Sequence, residues 1–328
     1  MALLVVTVAF ALAFDFTNGF HDTANAVATS VSTRALSPRL AVLIAALANL
    51  AGAFVTTAVA TTVGKGIINT GLATPKTVLA AVLGAITWNL ITWWRGLPSS
   101  SSHALIGGLI GAALAQSGVG GVEWHGVVHK VVIPAIWAPT IAFGAAFAVL
   151  LAIYWAFQRL TPGLANRSFR FGQLFSGTWV AFTHGANDAQ KTMGVIALAL
   201  FAHGSISSFY VPDWVKVSAG IAIGLGTYVG GWRIMRTLGQ RVFQIDPPAG
   251  FAAQVTSGFV IYGSTRLGYP LSTTHVVSGA VMGSGATRRL SAVRWGIAGN
   301  ILVAWVLTLP AAALVAAVLW WPIDGIFR

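Results

Sequence analysis

The chain is dominated by long runs of apolar residues, which short polar segments separate. Runs of transmembrane length recur through the whole sequence, for example at 40–63, 131–157, 214–232 and 295–321. About 20 apolar residues are enough for an α-helix to cross the hydrocarbon core of a bilayer. The pattern therefore predicts an all-α polytopic membrane protein with no separate soluble domain.

Composition and charge agree with this interpretation. Of the 328 residues, 56% are hydrophobic and 8% are charged, whereas soluble domains have roughly 25% charged residues. The net charge of +12 would suggest nucleic acid as the partner of a soluble protein, but here the basic residues lie in short loops beside a lipid bilayer. No nucleic-acid partner is expected. The absence of cysteine excludes disulfides, thiolate metal sites and a cysteine nucleophile.

The basic residues divide into two sets of loops, which predict the orientation in the membrane. Cytoplasmic loops carry an excess of Lys and Arg. Loops rich in arginine are therefore expected inside, namely those with Arg34, Arg39, Arg159, Arg167, Arg170, Arg233, Arg236, Arg241, Arg288, Arg289 and Arg294. The loops expected outside carry a few lysines and are 64–76, 118–130 and 203–216.

This orientation makes the two halves of the chain inverted copies. Residues 1–33, 40–63 and 131–157 cross the membrane, and 77–117 form a hairpin that enters and leaves on the outer side. Three net crossings place the second half in the opposite orientation. Its crossings are 173–202, 214–232 and 295–321, with a hairpin at 250–286 that opens to the cytoplasm.

The predicted organisation is therefore a first transmembrane repeat at 1–160, a cytoplasmic linker at 161–172 and a second repeat at 173–328. Both termini are expected outside, in a multi-pass protein of the inner (plasma) membrane. Inverted repeats with broken helices are a recurring plan of secondary transporters, which hold their ligand near the bilayer midplane.

Two polar motifs occur once in each half. Residues 16–22 read FTNGFHD and residues 182–188 read FTHGAND, while residues 98–103 read PSSSSH and residues 270–275 read PLSTTH. Each half thus has an acidic motif followed by a hydroxyl-rich motif. Repeated polar motifs at membrane depth favour a transporter.

The acidic motifs place Asp22 and Asp188 inside predicted spans. A carboxylate at the bilayer centre costs roughly 2.5 to 3.5 kcal/mol on insertion scales, so both aspartates need a cation, a proton or a partner. The polar residues are expected to break both helices and to line a polar cavity. The alternative is a structural ion pair of Asp188 with Lys191, one turn away.

The hydroxyl-rich motifs look like helix starts. Proline suits a first helical turn, Ser and Thr cap it, and free amides at a helix start can bind an anion. Two such starts could converge on one oxyanion, with hydroxyl donors from Ser100, Ser101, Ser102, Ser272, Thr273 and Thr274. Alternatively, these residues only cap two buried helices. Glycine-spaced faces after each motif would let the hairpins pack closely.

Four further residues have two possible roles each. His103 and His275 follow the hydroxyl clusters, where each is either a substrate ligand or a buried neutral histidine that donates to a carbonyl. Arg95 and Arg266 precede the hairpin prolines, where each either meets a phosphate in a bidentate pair or extends towards the lipid headgroups.

The motifs resemble those of a known family. GFHDTANAVATS and HGANDAQKTMGV are similar to the paired G-x-N-D signatures of the inorganic phosphate transporter (PiT) family, and PSSSSHALIGGLIGA and PLSTTHVVSGAVMGSG to its paired P-x-S-[ST]-[ST]-H segments. The resemblance covers roughly residues 10–320, without the large intracellular insertion of eukaryotic members. It indicates a bacterial-type member, which departs from the family at His21, where asparagine is usual.

The resemblance implies cation-coupled symport of inorganic phosphate, or of a metal-phosphate complex, by alternating access in a homodimer. Asp22 and Asp188 would hold the coupling cation, H⁺ or Na⁺, and would be the metal ligands if the ion is sodium. Asn25 and Asn187 would support the hydroxyls as phosphate donors, with His21, Lys191, His103 and His275 as further candidates. No cofactor is expected.

Three other functions stay open at this point. A permease for sulfate or another oxyanion could use the same scaffold, and a passive anion channel could share the same pore chemistry. An intramembrane enzyme is the third, because Ser, His and Asp are all present. Since a single active centre would not need its Ser-His element twice, we predict that the protein is not an enzyme.

Overall fold

The computed structural model describes residues 1–327, and these residues form an almost entirely helical protein without a β-strand. The only β-type pairing among them is a single bridge between Ile68 and Val122. The α-helices are α1 (Ala2–Ser32), α2 (Pro38–Gly52), α3 (Ala58–Lys65), α4 (Pro75–Arg95), α5 (Ser101–Ser117), α6 (Trp124–Val127), α7 (Ile133–Ala156), α8 (Pro162–Ala202), α9 (Asp213–Val229), α10 (Trp232–Arg236), α11 (Pro247–Arg266), α12 (Thr273–Arg288) and α13 (Trp295–Ile326).

The helix contacts repeat between the two halves. Helix α1 packs against α8 and α9, and α8 packs in turn against α2. Helices α4 and α5 form a hairpin that lies against α13, while α11 and α12 form a hairpin that lies against α7. The last long helix of each half therefore packs against the hairpin of the other half. The opposite orientation of the halves in the membrane stays a prediction.

Several helices are long and apolar enough to cross a bilayer. Among the described residues these are Ala2–Ser32, Pro75–Arg95, Ser101–Gly121, Trp124–Ala156 and Trp295–Ile326. Helix α8 is longer still, with 41 residues or about 60 Å of helix. Residues 162–172, for which we predicted a linker, form its first turns, so the two halves are joined through a continuous helix.

The acidic motifs do not break their helices, which corrects the sequence-based expectation. Helix α1 continues through Asp22 and α8 continues through Asp188. The breaks lie in the neighbouring elements, at residues 53–57 between α2 and α3 and at 230–231 between α9 and α10. The polar groups of both motifs are met by side chains, from the same helix as with Lys191 and Asp188 and from the hairpins as with Ser101 and Asp22.

The glycine-spaced faces of the hairpins pack against backbone, as predicted. A Cβ atom added at Gly111 would lie 1.9 Å from the carbonyl oxygen of Ala313 on α13. The equivalent atom at Gly283 would lie 2.1 Å from the carbonyl oxygen of Phe143 on α7. Only glycine permits this approach, which brings α5 close to α13 and α12 close to α7.

Candidate functional site

Both hydroxyl-rich motifs begin a helix at the tip of a hairpin. Ser100 is the N-cap of α5 and accepts from the amide of His103 at 3.0 Å, and Ser272 is the N-cap of α12 and accepts from the amide of His275 at 3.2 Å. The capping prediction is confirmed in this respect. The prolines do not lie in the first helical turn. They lie two residues before each N-cap, in the turn that joins the two helices of each hairpin.

Asp22 lies between the two hairpin tips. Its Oδ2 is 2.7 Å from the Ser101 hydroxyl of the first hairpin and 3.4 Å from the Thr273 hydroxyl of the second. Its Oδ1 is 2.7 Å from His21 Nδ1 and 3.4 Å from the Thr274 hydroxyl. All these side chains are buried. The two hydroxyl clusters and one aspartate therefore share a single buried site.

Asp188 lies beside this site and is paired with Lys191. The Lys191 Nζ atom is 2.6 Å from Asp188 Oδ1, donates to the Leu271 carbonyl oxygen at 2.7 Å and also donates to the Ser102 hydroxyl. Ser102 itself donates to the Leu271 oxygen at 3.0 Å. Hence the ion pair that the sequence left as an alternative is formed, and Ser102 belongs to it.

His184 lies between the two aspartates. Asn49 donates to the Thr227 hydroxyl through Nδ2, so its Oδ1 accepts from His184 Nδ1 at 2.8 Å. That bond leaves His184 Nε2 facing Asp188 Oδ2 at 3.5 Å and Asp22 Oδ2 at 3.9 Å. In a neutral imidazole this nitrogen is an acceptor. Three acceptor atoms that face one another attract a proton or a metal cation.

Asn18 joins the two aspartates on the other side. Its Nδ2 donates to Asp188 Oδ2 at 3.3 Å, and its Oδ1 lies 2.6 Å from the Ser101 hydroxyl, where it competes with Asp22 Oδ2 for the single hydrogen of that hydroxyl. Because Ser101 also contacts Asp22, any movement of the first hairpin tip changes the surroundings of both carboxylates.

Of the two asparagines that were predicted to bind phosphate, Asn25 and Asn187, only Asn25 contacts a hydroxyl of the site around Asp22. Asn25 Nδ2 donates to the Thr274 hydroxyl at 2.9 Å, so Asn25 lines the site. Asn187 instead donates to the Thr265 hydroxyl at 2.8 Å and to the Tyr269 carbonyl oxygen at 3.1 Å, and thus holds the base of the second hairpin turn. The Oδ1 atoms of both asparagines are buried, without a hydrogen-bond partner among the described residues.

The histidines of the two hairpins contact each other. The rings of His103 and His275 meet edge to face at a centroid distance of 4.7 Å, and the His275 ring stacks on Trp305 at 3.9 Å. Neither ring nitrogen of His275 has a hydrogen-bond partner among the described residues. These rings contact each other and Trp305, and neither forms a hydrogen bond with Asp22 among the described residues.

His21 connects Asp22 to the first hairpin. Its Nε2 atom is 3.1 Å from the Thr92 hydroxyl of α4 and 3.3 Å from the Ser99 hydroxyl at the hairpin tip. The histidine that departs from the family pattern thus links the carboxylate to the end of α4 and to the turn that follows it.

The sequence predicted Asn18, His184 and Asp15 as polar groups that line a cavity, but it assigned them no binding role. Asn18 and His184 occupy the same position in the repeated motifs FTNGFHD and FTHGAND, and this equivalence is the signal that could have found them. Asp15 is fully buried in α1, and neither of its oxygens has a hydrogen-bond partner among the described residues.

Comparisons with known proteins agree with the geometry. The sequence model of the phosphate transporter family matches residues 18–316. A probable low-affinity inorganic phosphate transporter of Rhizobium meliloti is 49% identical over 324 residues, which cover 98% of this chain and 97% of that protein. A relative with the same description in Mycobacterium bovis is 52% identical over 323 residues, which cover 96% of this chain and 76% of that protein. Another in Bacillus subtilis is 43% identical over 335 residues, which cover 100% of this chain and 99% of that protein.

The fold also matches a solved structure. A protein described as the sodium-dependent phosphate transporter superimposes with a TM-score of 0.87 at 24% sequence identity, and the match covers 99% of this chain and 100% of that chain. At this identity the likeness shows the shared helical fold. The names of the relatives also bear out the prediction of a transporter rather than an enzyme.

Proposed function

Because the chain belongs to the phosphate transporter family, we propose that it is a secondary transporter that carries inorganic phosphate together with a cation, H⁺ or Na⁺, by alternating access. The observation that carries this proposal is the position of Asp22, whose carboxylate contacts hydroxyls of both hairpins. A phosphate that enters between the tips would meet donors from both halves of the protein.

The contacts of Asp22 also supply a reason for coupling. In this conformation the hydroxyls of Ser101, Thr273 and Thr274 are within hydrogen-bond distance of the Asp22 carboxylate. A hydroxyl has one hydrogen to donate, so phosphate competes with Asp22 for the same donors. When phosphate takes them, the buried Asp22 carboxylate keeps its contact with His21 Nδ1 but loses its hydroxyl donors, and it then needs a positive charge in their place. Phosphate and cation therefore bind most favourably together.

The cation is proposed to bind where Asp22 Oδ2, Asp188 Oδ2 and His184 Nε2 face one another. Atoms of these three residues lie within 4.8 Å of one another. Carboxylate oxygens suit a hard cation, and a proton can be shared by the same acceptors. A divalent metal would suit the imidazole nitrogen as well, which keeps a metal-phosphate complex among the possible substrates.

Asn25 supports a preference for phosphate over sulfate. Its Oδ1 atom is a buried acceptor without a donor among the described residues, and its Nδ2 contacts Thr274. Monohydrogen phosphate carries a proton that this oxygen can accept, while sulfate would leave the acceptor unpaired, and such a mismatch is strongly discriminating. Sulfate that competes with labelled phosphate at equal concentration would favour a general oxyanion permease instead.

The remaining features concern the surroundings of the transporter. We place it in the inner (plasma) membrane with both termini outside, where the apolar side chains exposed on α7 and α13 suit contact with lipid. A homodimer is proposed from the family resemblance. Cross-linking in the native membrane, followed by measurement of the mass of the product, tests that assembly.

Uptake into proteoliposomes tests the proposed function, with sodium and pH gradients imposed separately. Wild-type protein should accumulate phosphate against its gradient under at least one of them. Asp22→Asn and Asp188→Asn should abolish this accumulation because each removes a charge from the cation site. Asp213→Asn is the matched control, since Asp213 is exposed in an ion pair with Lys216. Wild-type accumulation in both site variants would reject these roles.

A further inference from the structure

Lys191 is surrounded by the kind of ligands that bind a free cation. Its ammonium contacts three oxygen atoms, which belong to the Asp188 carboxylate, the Ser102 hydroxyl and the Leu271 main-chain carbonyl. The side chain is 1% exposed, so water does not compete for these oxygens. Carboxylate, hydroxyl and carbonyl oxygens form the coordination shell that hard metal ions prefer.

The equivalent position in the first half carries no charge. The repeated motifs place Asp22 and Asp188 at the same position, and three residues later the first half has Asn25 where the second has Lys191. The partners are equivalent too, because Asn25 contacts Thr274 of the second hairpin while Lys191 contacts Ser102 at the same place in the first. The two halves thus differ by one fixed positive charge.

We infer that Lys191 is a built-in cation, which occupies a position that a soluble coupling ion would otherwise have to fill beside Asp188. This inference rests on the proposed function and specifies its stoichiometry. Asp188 Oδ1 is paired with Lys191, whereas Asp22 has no lysine or arginine within salt-bridge distance among the described residues. The transporter therefore needs one fewer external cation for each phosphate than a symmetric site would need.

Lys191→Asn tests the inference because it gives the second half the residue that the first half has. In proteoliposomes with potassium as the only alkali cation, uptake by this variant should fall by at least about tenfold, since an unpaired buried carboxylate disfavours the loaded state. Sodium or methylammonium should restore several-fold activity to the variant, and the dependence of its uptake rate on sodium should be steeper than that of wild type by about one ion. Lys216→Asn is the matched control, because Lys216 has the same i,i+3 pairing with Asp213 at the surface.

Cation binding, measured through thermal unfolding, tests the inference even if the Lys191→Asn protein folds but does not transport. Sodium or methylammonium should raise the thermal unfolding temperature of purified Lys191→Asn by more than that of wild type. The double variant Asp188→Asn/Lys191→Asn, which lacks both charges, should respond no more than wild type, because Asp22 and His184 are unchanged in both proteins. Equal cation responses of Lys191→Asn and wild type in uptake and in unfolding would overturn the inference, as would a double variant that responds as strongly as Lys191→Asn.

The two proposals fail in distinguishable ways. If wild-type protein does not take up phosphate under any cation gradient, the proposed function is wrong, and the unfolding measurement still tests the charge at position 191. If wild type accumulates phosphate but Lys191→Asn behaves like it with and without sodium, only the inference about Lys191 is wrong.

Discussion

At the scale of single residues, the Ser101 hydroxyl contacts Asp22 directly and reaches Asp188 through Asn18. It lies 2.7 Å from Asp22 Oδ2 and 2.6 Å from Asn18 Oδ1, and Asn18 contacts Asp188 in turn. One small side chain at the start of α5 therefore contacts two residues of α1, and one of these, Asn18, contacts α8. This arrangement makes Ser101 a donor that the carboxylate and the proposed phosphate share.

Ser101→Ala should weaken phosphate binding by roughly 10- to 100-fold, because a hydrogen bond to a charged group contributes about 1.5–3 kcal/mol. The measurement is the KM of phosphate uptake in proteoliposomes. Ser264→Ala is the control, since the Ser264 hydroxyl donates to the Val260 carbonyl oxygen on its own helix. An unchanged KM in Ser101→Ala would contradict the assignment of this hydroxyl.

Some of these residues were predictable from the sequence and others were not. Asp22 and Asp188 occupy the same position in the two halves, and a hydroxyl cluster follows each of them. This repetition was sufficient to predict a transporter whose binding site combines polar groups from both halves. The role of His184 was not predicted, because it depends on which ring nitrogen faces the aspartates, and the contact with Asn49 on α2 decides that. A contact with a residue 135 positions away leaves no local pattern.

At the scale of elements, helix starts were easier to predict than helix breaks. The Pro and Ser of each hairpin motif act locally, and both N-caps form where expected. The break before α3 depends on Gln190 of α8, whose Oε1 accepts from the amide of Val59 at 2.9 Å. A distant side chain thus supplies the cap, so the apolar run at 40–63 gave no sign of the interruption.

Close packing of the hairpins against α7 and α13 is also a property of elements. Gly111→Ala and Gly283→Ala should each destabilise the protein by about 1–3 kcal/mol, because the added methyl group meets main-chain carbonyl oxygens that cannot move independently. Thermal unfolding in detergent measures the effect.

Two glycines of the facing helices are suitable controls. Gly144 on α7 and Gly299 on α13 have no neighbouring atom within 4 Å of an added Cβ. Alanine at either position should be neutral or stabilising by roughly 0.5–1 kcal/mol, because glycine is unfavourable inside a helix. Equal effects at all four positions would show that the close approach is not what holds the hairpins.

At the scale of the whole molecule, the two halves exchange their last long helices, since α13 covers the first hairpin and α7 covers the second. Neither half can therefore enclose its own hairpin. This arrangement suits a transporter in which the halves move against each other around a shared site, because the packing of α13 on the first hairpin has a counterpart in the packing of α7 on the second.

The predicted orientation can be tested directly because the chain has no cysteine. Lys65→Cys should react with a membrane-impermeant maleimide added to intact cells, and Arg170→Cys should react only after permeabilisation. Both positions are exposed in the structure, so burial does not limit the reaction. The reverse pattern would place the termini inside and invert the assignment of both halves.

The central claim is that phosphate and cation are coupled because Asp22 competes with phosphate for the hydroxyls of both hairpins. Equilibrium binding of labelled phosphate to purified protein, over a range of sodium concentration and pH, tests it most directly. Wild-type affinity should rise as the coupling cation is added, whereas Asp22→Asn should bind phosphate with an affinity that no cation changes. An Asp22→Asn protein whose phosphate affinity keeps the cation dependence of wild type would contradict the account.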